Sequence, residues 1–227
     1  LYAQEPNIML EKFHLYIDSA LWADLQPWLS HPLVYGVTTN PTLMKRANLT
    51  YAQMPEFVGR ALEGGAKAVQ VQVRHAETER MLEDAHTFLE WGPSGAVIPK
   101  IPATLEGLAV AAQLSSAGHP VTLTAVYAVE QALWASLAGA AYAAPYLGRL
   151  GDAGFEALEV VRQMQGLVAH SSTRLLVASL RSRQAVLDVL ALGVGSITVP
   201  PSLLKELFHH PATLEAQRQF LEDGEGL

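Results

Sequence analysis

The stretch AVIPKIPATLEGLAVAAQLSSAGHPVTLTAV, Ala96 to Val126, decides the fold. It opens on AVIPKIP (96–102), a short apolar run of strand character. It continues through TLEGLAVAAQLSSAG (104–118), whose apolar residues recur at helical spacing, and ends on a second strand, PVTLTAV (120–126). Strands that alternate with helical patterns of this length build parallel sheets. Working outward, the strand pattern recurs in FHLYID (13–18), VYGVTTN (34–40), AKAVQVQV (66–73), AYAAPY (141–146), TRLLVAS (173–179) and SITVP (196–200). Helical stretches such as AETERMLEDAHTFLEW and SRQAVLDVLALG lie between them. Eight strands, each followed by a helix, predict an α/β chain folded as a single (β/α)8 TIM barrel. An open doubly wound sheet is the alternative, weakened because no G-x-G-x-x-G or P-loop glycine pattern follows any strand.

Residues 13–227 are assigned to the barrel domain, including an additional C-terminal helix in HHPATLEAQRQFLEDGEGL, and residues 1–12 to an N-terminal extension. The extra helix hints at a homo-oligomer. The helical stripe Leu105, Leu108 and Ala112 reads as core packing. Pro99 removes a ladder donor from a central strand, so a bulge or kink is expected there.

Lys100 is out of place in such a strand, because an unpaired buried ammonium is costly. By alternation it shares a face with Ile98 and Pro102, while Val97, Pro99 and Ile101 take the other. A lysine pointing into a closed barrel becomes an available nucleophile if desolvation lowers its pKa. The competing reading is a lysine at the strand's mouth, ion-paired to a carboxylate such as Asp18. The same alternation puts Val69, Val71 and Val73 against the helices and points Gln70 and Gln72 inward, either as working groups or as satisfied amides of a polar layer. The C-terminal strand ends carry Asp18, Thr38, Thr39, Asn40, Gln70, Gln72, Lys100, Thr124, Tyr146, Ser179 and Arg181. Barrel enzymes draw their working residues from these ends.

Composition narrows the function. Half of the 227 residues are hydrophobic and 16% are charged, which suits one folded domain. A formal net charge of -7 argues against nucleic acid as a partner, and the absence of cysteine excludes disulfides and thiol catalysis. No apolar run approaches the roughly 18 residues of a membrane span. The first twelve residues lack a signal peptide's charged and apolar regions, so a cytoplasmic location is expected. The pair His209-His210 makes a poor metal site without further ligands, and neither a metal nor another cofactor is expected. Trp22, Trp28, Trp91 and Trp134 read as helix-to-barrel or subunit contacts.

Five blocks in order, LYIDSA, GVTTNPTL, PKIPATLEGL, TLTAVYAVEQALWASLAGAAYAAPYLGRL and VASLRSRQAVLDVLALGVGSITVP, resemble the transaldolase family and, within it, the small bacterial fructose-6-phosphate aldolases. The likeness runs from about Phe13 to Phe220. It implies a metal-free aldol reaction through a lysine Schiff base, with Lys100 as the amine that condenses with the donor's C2 carbonyl. It further implies that Asp18 contacts substrate hydroxyls and helps proton movement, that Thr38 and Asn40 orient the donor, and that Thr124 helps hold a catalytic water. Arg149 and Ser179 fall on phosphate-binding positions. Arg181 either adds charge there or is an ordinary surface arginine. Transaldolases usually have a glutamate on the third strand and a phenylalanine on the sixth; glutamine and tyrosine mark the aldolases, and this chain has Gln72 and Tyr146. Matching Ala76-Glu77 in place of Met81 selects Gln70 for the third-strand position. Only the tyrosine of that pair exchanges protons, so Tyr146 is the expected acid/base. Expected partners are sugar phosphates and ketone donors. The alternatives are transaldolase transfer of a dihydroxyacetone unit and a non-catalytic sugar-phosphate-binding barrel. Pro99, Gly148 and the second proline of TVPPSL depart from the family's usual residues.

Overall fold

Eight parallel strands pair in sequence order and close, β1 against β8, in a computed structural model that describes residues 13–226. The expected N-terminal extension, 1–12, lies outside the described residues. The strands are β1 (His14–Asp18), β2 (Gly36–Thr38), β3 (Ala68–Gln72), β4 (Val97–Pro102), β5 (Thr122–Val126), β6 (Tyr142–Pro145), β7 (Arg174–Val177) and β8 (Ser196–Val199). Around them run α1 (Trp22–Leu25), α2 (Pro41–Arg46), α3 (Met54–Glu63), α4 (Thr78–Leu89), α5 (Leu105–Ser116) and α6 (Val129–Leu137). They are followed by α7 (Leu147–Asp152), α8 (Ala157–Val168), α9 (Arg183–Ala191), α10 (Pro201–Phe208) and α11 (Pro211–Gly224). This is a (β/α)8 TIM barrel. No helix of the described residues is long and apolar enough to cross a membrane.

Alternation divides each strand between two environments. Val69, Val71, Val97, Ile101 and Leu123 face the helices and join the main apolar core. Tyr16, Ala68, Ile98, Tyr142, Ala144 and Leu176 form a separate cluster inside the barrel. Above them the inner face turns polar, with Thr38, Gln70, Lys100, Thr122, Thr124 and Thr198 all buried. Close approach of β2 to β3 requires Gly36, since a Cβ there would stand 2.0 Å from the Ala68 carbonyl oxygen.

Two sequence expectations need correction. Strand β4 runs through Pro99 in continuous register with β3. Its even-numbered carbonyls, Ala96 and Lys100, face β3, whereas Ala103 N–H faces β5 and donates to the Thr124 carbonyl. The N–H that Pro99 lacks would therefore also face β5, whose pairing with β4 starts only at Lys100–Thr122. The lost donor falls before the ladder begins, and no bulge forms. On α5, Leu108 is half-buried against the main core as expected, but Leu105 is 80% exposed, and the fully buried face is Gly107, Val110, Ala111 and Leu114. Gly107 sets that face: an added Cβ would lie 1.9 Å from the Pro102 carbonyl oxygen, so no side chain fits where helix and strand meet.

Of the tryptophans, Trp22, Trp28 and Trp91 pack against the helix-to-barrel core, while Trp134 is exposed. Helix α11 buries none of its residues and leaves Leu214, Phe220 and Leu221 exposed.

The N-terminal mouth is closed by aromatics. His14 stacks on Tyr35 at 3.6 Å between centroids, and its Nδ1 lies 2.5 Å from Tyr142 Oη, which also accepts from Tyr16 Oη at 3.0 Å. Burial pushes the His14 imidazole down to about 4, helped by the nearby charges of Arg174 and Lys67, and Tyr142 up to about 12. The folded state thus holds His14 neutral, and stability drawn from this is present above pH 6.5 and lost as pH falls from 6.5 towards 4. The thermal midpoint of the wild-type protein should fall more steeply across that window than that of a His14→Gln variant. Parallel slopes by calorimetry would assign the acid sensitivity elsewhere.

Candidate active site

The polar strand ends converge on the C-terminal mouth. A cavity of about 140 Å³ there is lined by Asp18, Asn40, Thr42, Leu43, Arg46, Lys100, Tyr146, Arg149, Ala178 and Ser179. Lys100 is only 4% exposed. Its Nζ donates to the Thr39 carbonyl at 3.0 Å, and among the described residues it forms no ion pair with Asp18. Nζ is therefore held by a single neutral acceptor in the cavity wall. This geometry does not follow the ion-paired reading of the sequence.

Asp18 ends β1 and is fixed by a relay through the two strands beside it, β2 and β8. Thr38 Oγ1 donates to Asp18 Oδ1 at 2.7 Å and lies 2.6 Å from Thr198 Oγ1. Burial raises the Asp18 carboxyl above its ordinary range, while Lys100, the Thr38 hydroxyl and Arg149 pull it back. A carboxyl raised in this way comes closer to the pH range where it both accepts and returns a proton. Thr198 was not singled out in the sequence, although it shares a face with Ser196 by alternation and β8 neighbours β1.

Asn40 N-caps α2, its Oδ1 accepting from Leu43 N–H at 3.0 Å, with Pro41 preorganised at the first helical position. One short segment, TTNP, thus supplies Thr38 to the Asp18 relay, the Thr39 carbonyl to Lys100 and Asn40 to the cavity wall.

The two inward glutamines sit at different depths. Gln70 pairs in register with Ile98 and is fully buried, its Oε1 accepting from Thr122 Oγ1 at 2.9 Å. Gln72 pairs with Lys100 itself and keeps partial exposure. The end of β3 is clamped from outside. Tyr51 Oη donates to the Gln72 carbonyl at 2.9 Å, and Arg74 and His75 both bind the buried Asp84 carboxylate. Burial pushes Asp84 up, but these hydrogen bonds outweigh it and hold the carboxyl below its usual range.

Thr124 and Gln72 do not line the cavity themselves; Thr124 Oγ1 lies 2.6 Å from the Oη of Tyr146, which does. Thr124 lies within a register shift between Leu123 and Val126, where Ala125 adopts φ +56°. Bulges of this kind re-aim the neighbouring side chain, and a left-handed alanine is backbone strain carried beside the site. The strand has no glycine to announce it, so the bulge is not legible in TLTAV.

Arg149, on α7, holds its guanidinium 4.8 Å from the Tyr146 ring centroid and 3.5 Å from Tyr127 Oη. Ser179, at φ +59°, follows β7 and lines the same cavity. Their elements meet closely, for a Cβ on Gly148 would stand 2.6 Å from the Ser179 carbonyl oxygen. That contact accounts for glycine at 148. Arg181 does not line the cavity; it forms a two-point ion pair with Asp152, at 2.7 and 2.6 Å, on the exposed surface. Among the described residues no group of three or more metal-ligating side chains is present.

Residues 15–225 match the family model for transaldolase/fructose-6-phosphate aldolase. A probable transaldolase of Desulfotalea psychrophila is 32% identical over 212 residues, covering 92% of this chain and 97% of that protein. One from Alkaliphilus metalliredigens is 33% identical over 215 residues (94% and 98%), and one from Nitrosopumilus maritimus is 29% identical over 214 (93% and 94%).

Proposed function

The chain belongs to the transaldolase/fructose-6-phosphate aldolase family, and from that premise we propose that it is a class I aldolase that cleaves fructose 6-phosphate to dihydroxyacetone and glyceraldehyde 3-phosphate, or joins them. The observation that carries the reading is that Tyr146, paired with the Thr124 hydroxyl behind it, lines one small cavity together with Lys100 and Asp18.

Lys100 Nζ, deprotonated, adds to the C2 carbonyl, and loss of water gives the iminium. Asp18, with its raised carboxyl, removes the C4 hydroxyl proton. The C3–C4 bond then breaks, its electron pair passes to the iminium as an enamine, and glyceraldehyde 3-phosphate leaves. Protonation of C3 and addition of water at C2 release dihydroxyacetone and restore the amine. These last steps need a proton donor and a positioned water, for which Tyr146, Thr124 and Gln72 are the candidates. Gln72 is favoured over Gln70 because it stands level with Lys100, whereas Gln70 spends its carbonyl on Thr122. Thr38 and Asn40 would orient the donor. Arg149 would supply the forked donor that suits phosphate oxygens, with Ser179 beside it; Arg181 is a poorer candidate, being committed to Asp152. The reading requires no cofactor. An assembly of several copies in the cytoplasm suits the exposed apolar side chains of α11.

A second reading is transaldolase, favoured by the names of the relatives, in which the enamine attacks another aldehyde before water reaches it. Fructose 6-phosphate supplied without an acceptor separates the two. Steady multiple-turnover release of glyceraldehyde 3-phosphate is the expected result. Release only after erythrose 4-phosphate is added would make the protein a transaldolase.

A further inference from the structure

Gln72 is held by a residue that the reaction does not touch. By strand alternation its carbonyl faces β2, as does the Gln70 carbonyl, which accepts from Thr39 N–H at 3.0 Å. Successive donors from a parallel neighbour are two residues apart. The next donor from β2, the one for Gln72, would therefore come from residue 41. That residue is Pro41, which has no N–H and already opens α2. Tyr51 takes its place. From the short 3-10 turn Tyr51–Gln53, between α2 and α3, its Oη donates to the Gln72 carbonyl at 2.9 Å.

The phenol is itself fixed. Its ring stacks on Phe88, 6.1 Å between centroids, and the Arg74 guanidinium stands 5.4 Å from its centroid. Arg74 is locked in turn by Asp84, whose carboxylate accepts from Arg74 N–H at 2.6 Å and Nε at 2.8 Å, and lies 3.0 Å from His75 Nδ1. Burial, helped by the Asp84 charge and opposed by Arg74, pushes the Tyr51 hydroxyl up to about 12, so it stays a donor near neutral pH.

This is more than the carbonyl needs, because water can satisfy a backbone oxygen at a partly exposed strand end. What a rigid donor adds is direction. It fixes the peptide plane that follows Gln72, and with it the line along which the side chain leaves the strand. The Gln70 amide is tied to Thr122, whereas the Gln72 amide has no hydrogen-bond partner among the described residues. The backbone therefore governs where that amide stands beside Lys100, its partner in register.

We propose that Tyr51 is a positioning residue for the aldol reaction: held by Arg74 and Asp84 outside the barrel, it sets, through the Gln72 backbone, the place of the amide that holds the water added to the Schiff base. This deepens the aldolase reading and rests on it for the duty of Gln72.

The test is a double-mutant cycle on the full chain, with Tyr51→Phe, Gln72→Ala and the two combined. Tyr51→Phe keeps the ring, its stack on Phe88 and its contact with Arg74, so it removes only the hydrogen bond. It should lower kcat for fructose 6-phosphate about tenfold and leave KM within about twofold. In the Gln72→Ala background the same substitution should change kcat by less than about twofold, because no amide remains to be placed. Equal losses in both backgrounds would overturn the proposal, since Tyr51 would then act on the fold or on another group. So would an unchanged kcat in Tyr51→Phe, a loss confined to KM, or full activity of Gln72→Ala. The wild-type protein alone tests the aldolase reading. If it turns over only with erythrose 4-phosphate present, that reading falls, and the same cycle measured on transfer still decides the role of Tyr51.

Discussion

Lys100→Met should lower turnover of fructose 6-phosphate by roughly 10^4-fold or more, the scale seen when a covalent nucleophile is removed. The substitution keeps an unbranched side chain of similar length in a site that is almost closed to solvent. It removes one hydrogen bond, to a backbone carbonyl, and takes from the buried Asp18 the nearby charge that pulls its carboxyl down, while Asp18 keeps the Thr38 hydroxyl and Arg149. The fold should therefore survive, and the thermal midpoint should move little compared with the activity. Mass spectrometry after borohydride treatment with dihydroxyacetone should find an adduct on the wild-type protein and none on the variant. A variant that keeps turnover would remove the Schiff base from the reaction altogether. One that loses turnover while the wild type forms no adduct would assign Lys100 a purely structural or electrostatic duty.

Tyr146→Phe should reduce kcat by about 10^2- to 10^3-fold, within the span of general acid–base contributions. Tyr146 Oη is 2.6 Å from Thr124 Oγ1, and nothing else in the protein is within hydrogen-bond reach of that phenol among the described residues. The ring itself packs under the Arg149 guanidinium and edge-on to Tyr127, contacts that phenylalanine preserves. The loss should accordingly appear in kcat, with KM for fructose 6-phosphate little changed. The borohydride adduct on Lys100 should persist if the phenol acts after imine formation. A rise in KM with kcat unchanged would make Tyr146 a binding residue and return the proton transfers to Asp18.

How far the sequence carried depends on which physical constraint each feature obeys. The barrel was legible because alternation in strands such as AVQVQV and helical spacing between them are direct imprints of burial. The inward direction of Lys100 followed from that alternation. Features set by backbone contact were not legible. The face of α5 turns on Gly107 meeting the Pro102 carbonyl, which no apolar periodicity encodes. Pro99 looked disruptive because its strand was known and its hydrogen-bonding side was not. The difference between Gln70 and Gln72 is one of depth, and it emerged only when β3 was set in register against β4. Arg181 stood two residues from Ser179 in the sequence, yet its partner, Asp152, comes from another helix. Arg46 and Thr42 had the opposite fate: they sit just past a recognisable segment and were passed over.

The helix cap at Asn40 also fixes the polarity of what can lie against that wall. Its Oδ1 is occupied by Leu43 N–H, so the atom of the amide left for a ligand is Nδ2, a donor. A substrate group there must present lone pairs: a carbonyl, a hydroxyl oxygen or an oxyanion. Aspartate would cap the helix equally well, but would turn an acceptor, and a negative charge, towards the same space. The choice between two residues that serve α2 alike thus decides the sign of the surface that the ligand meets.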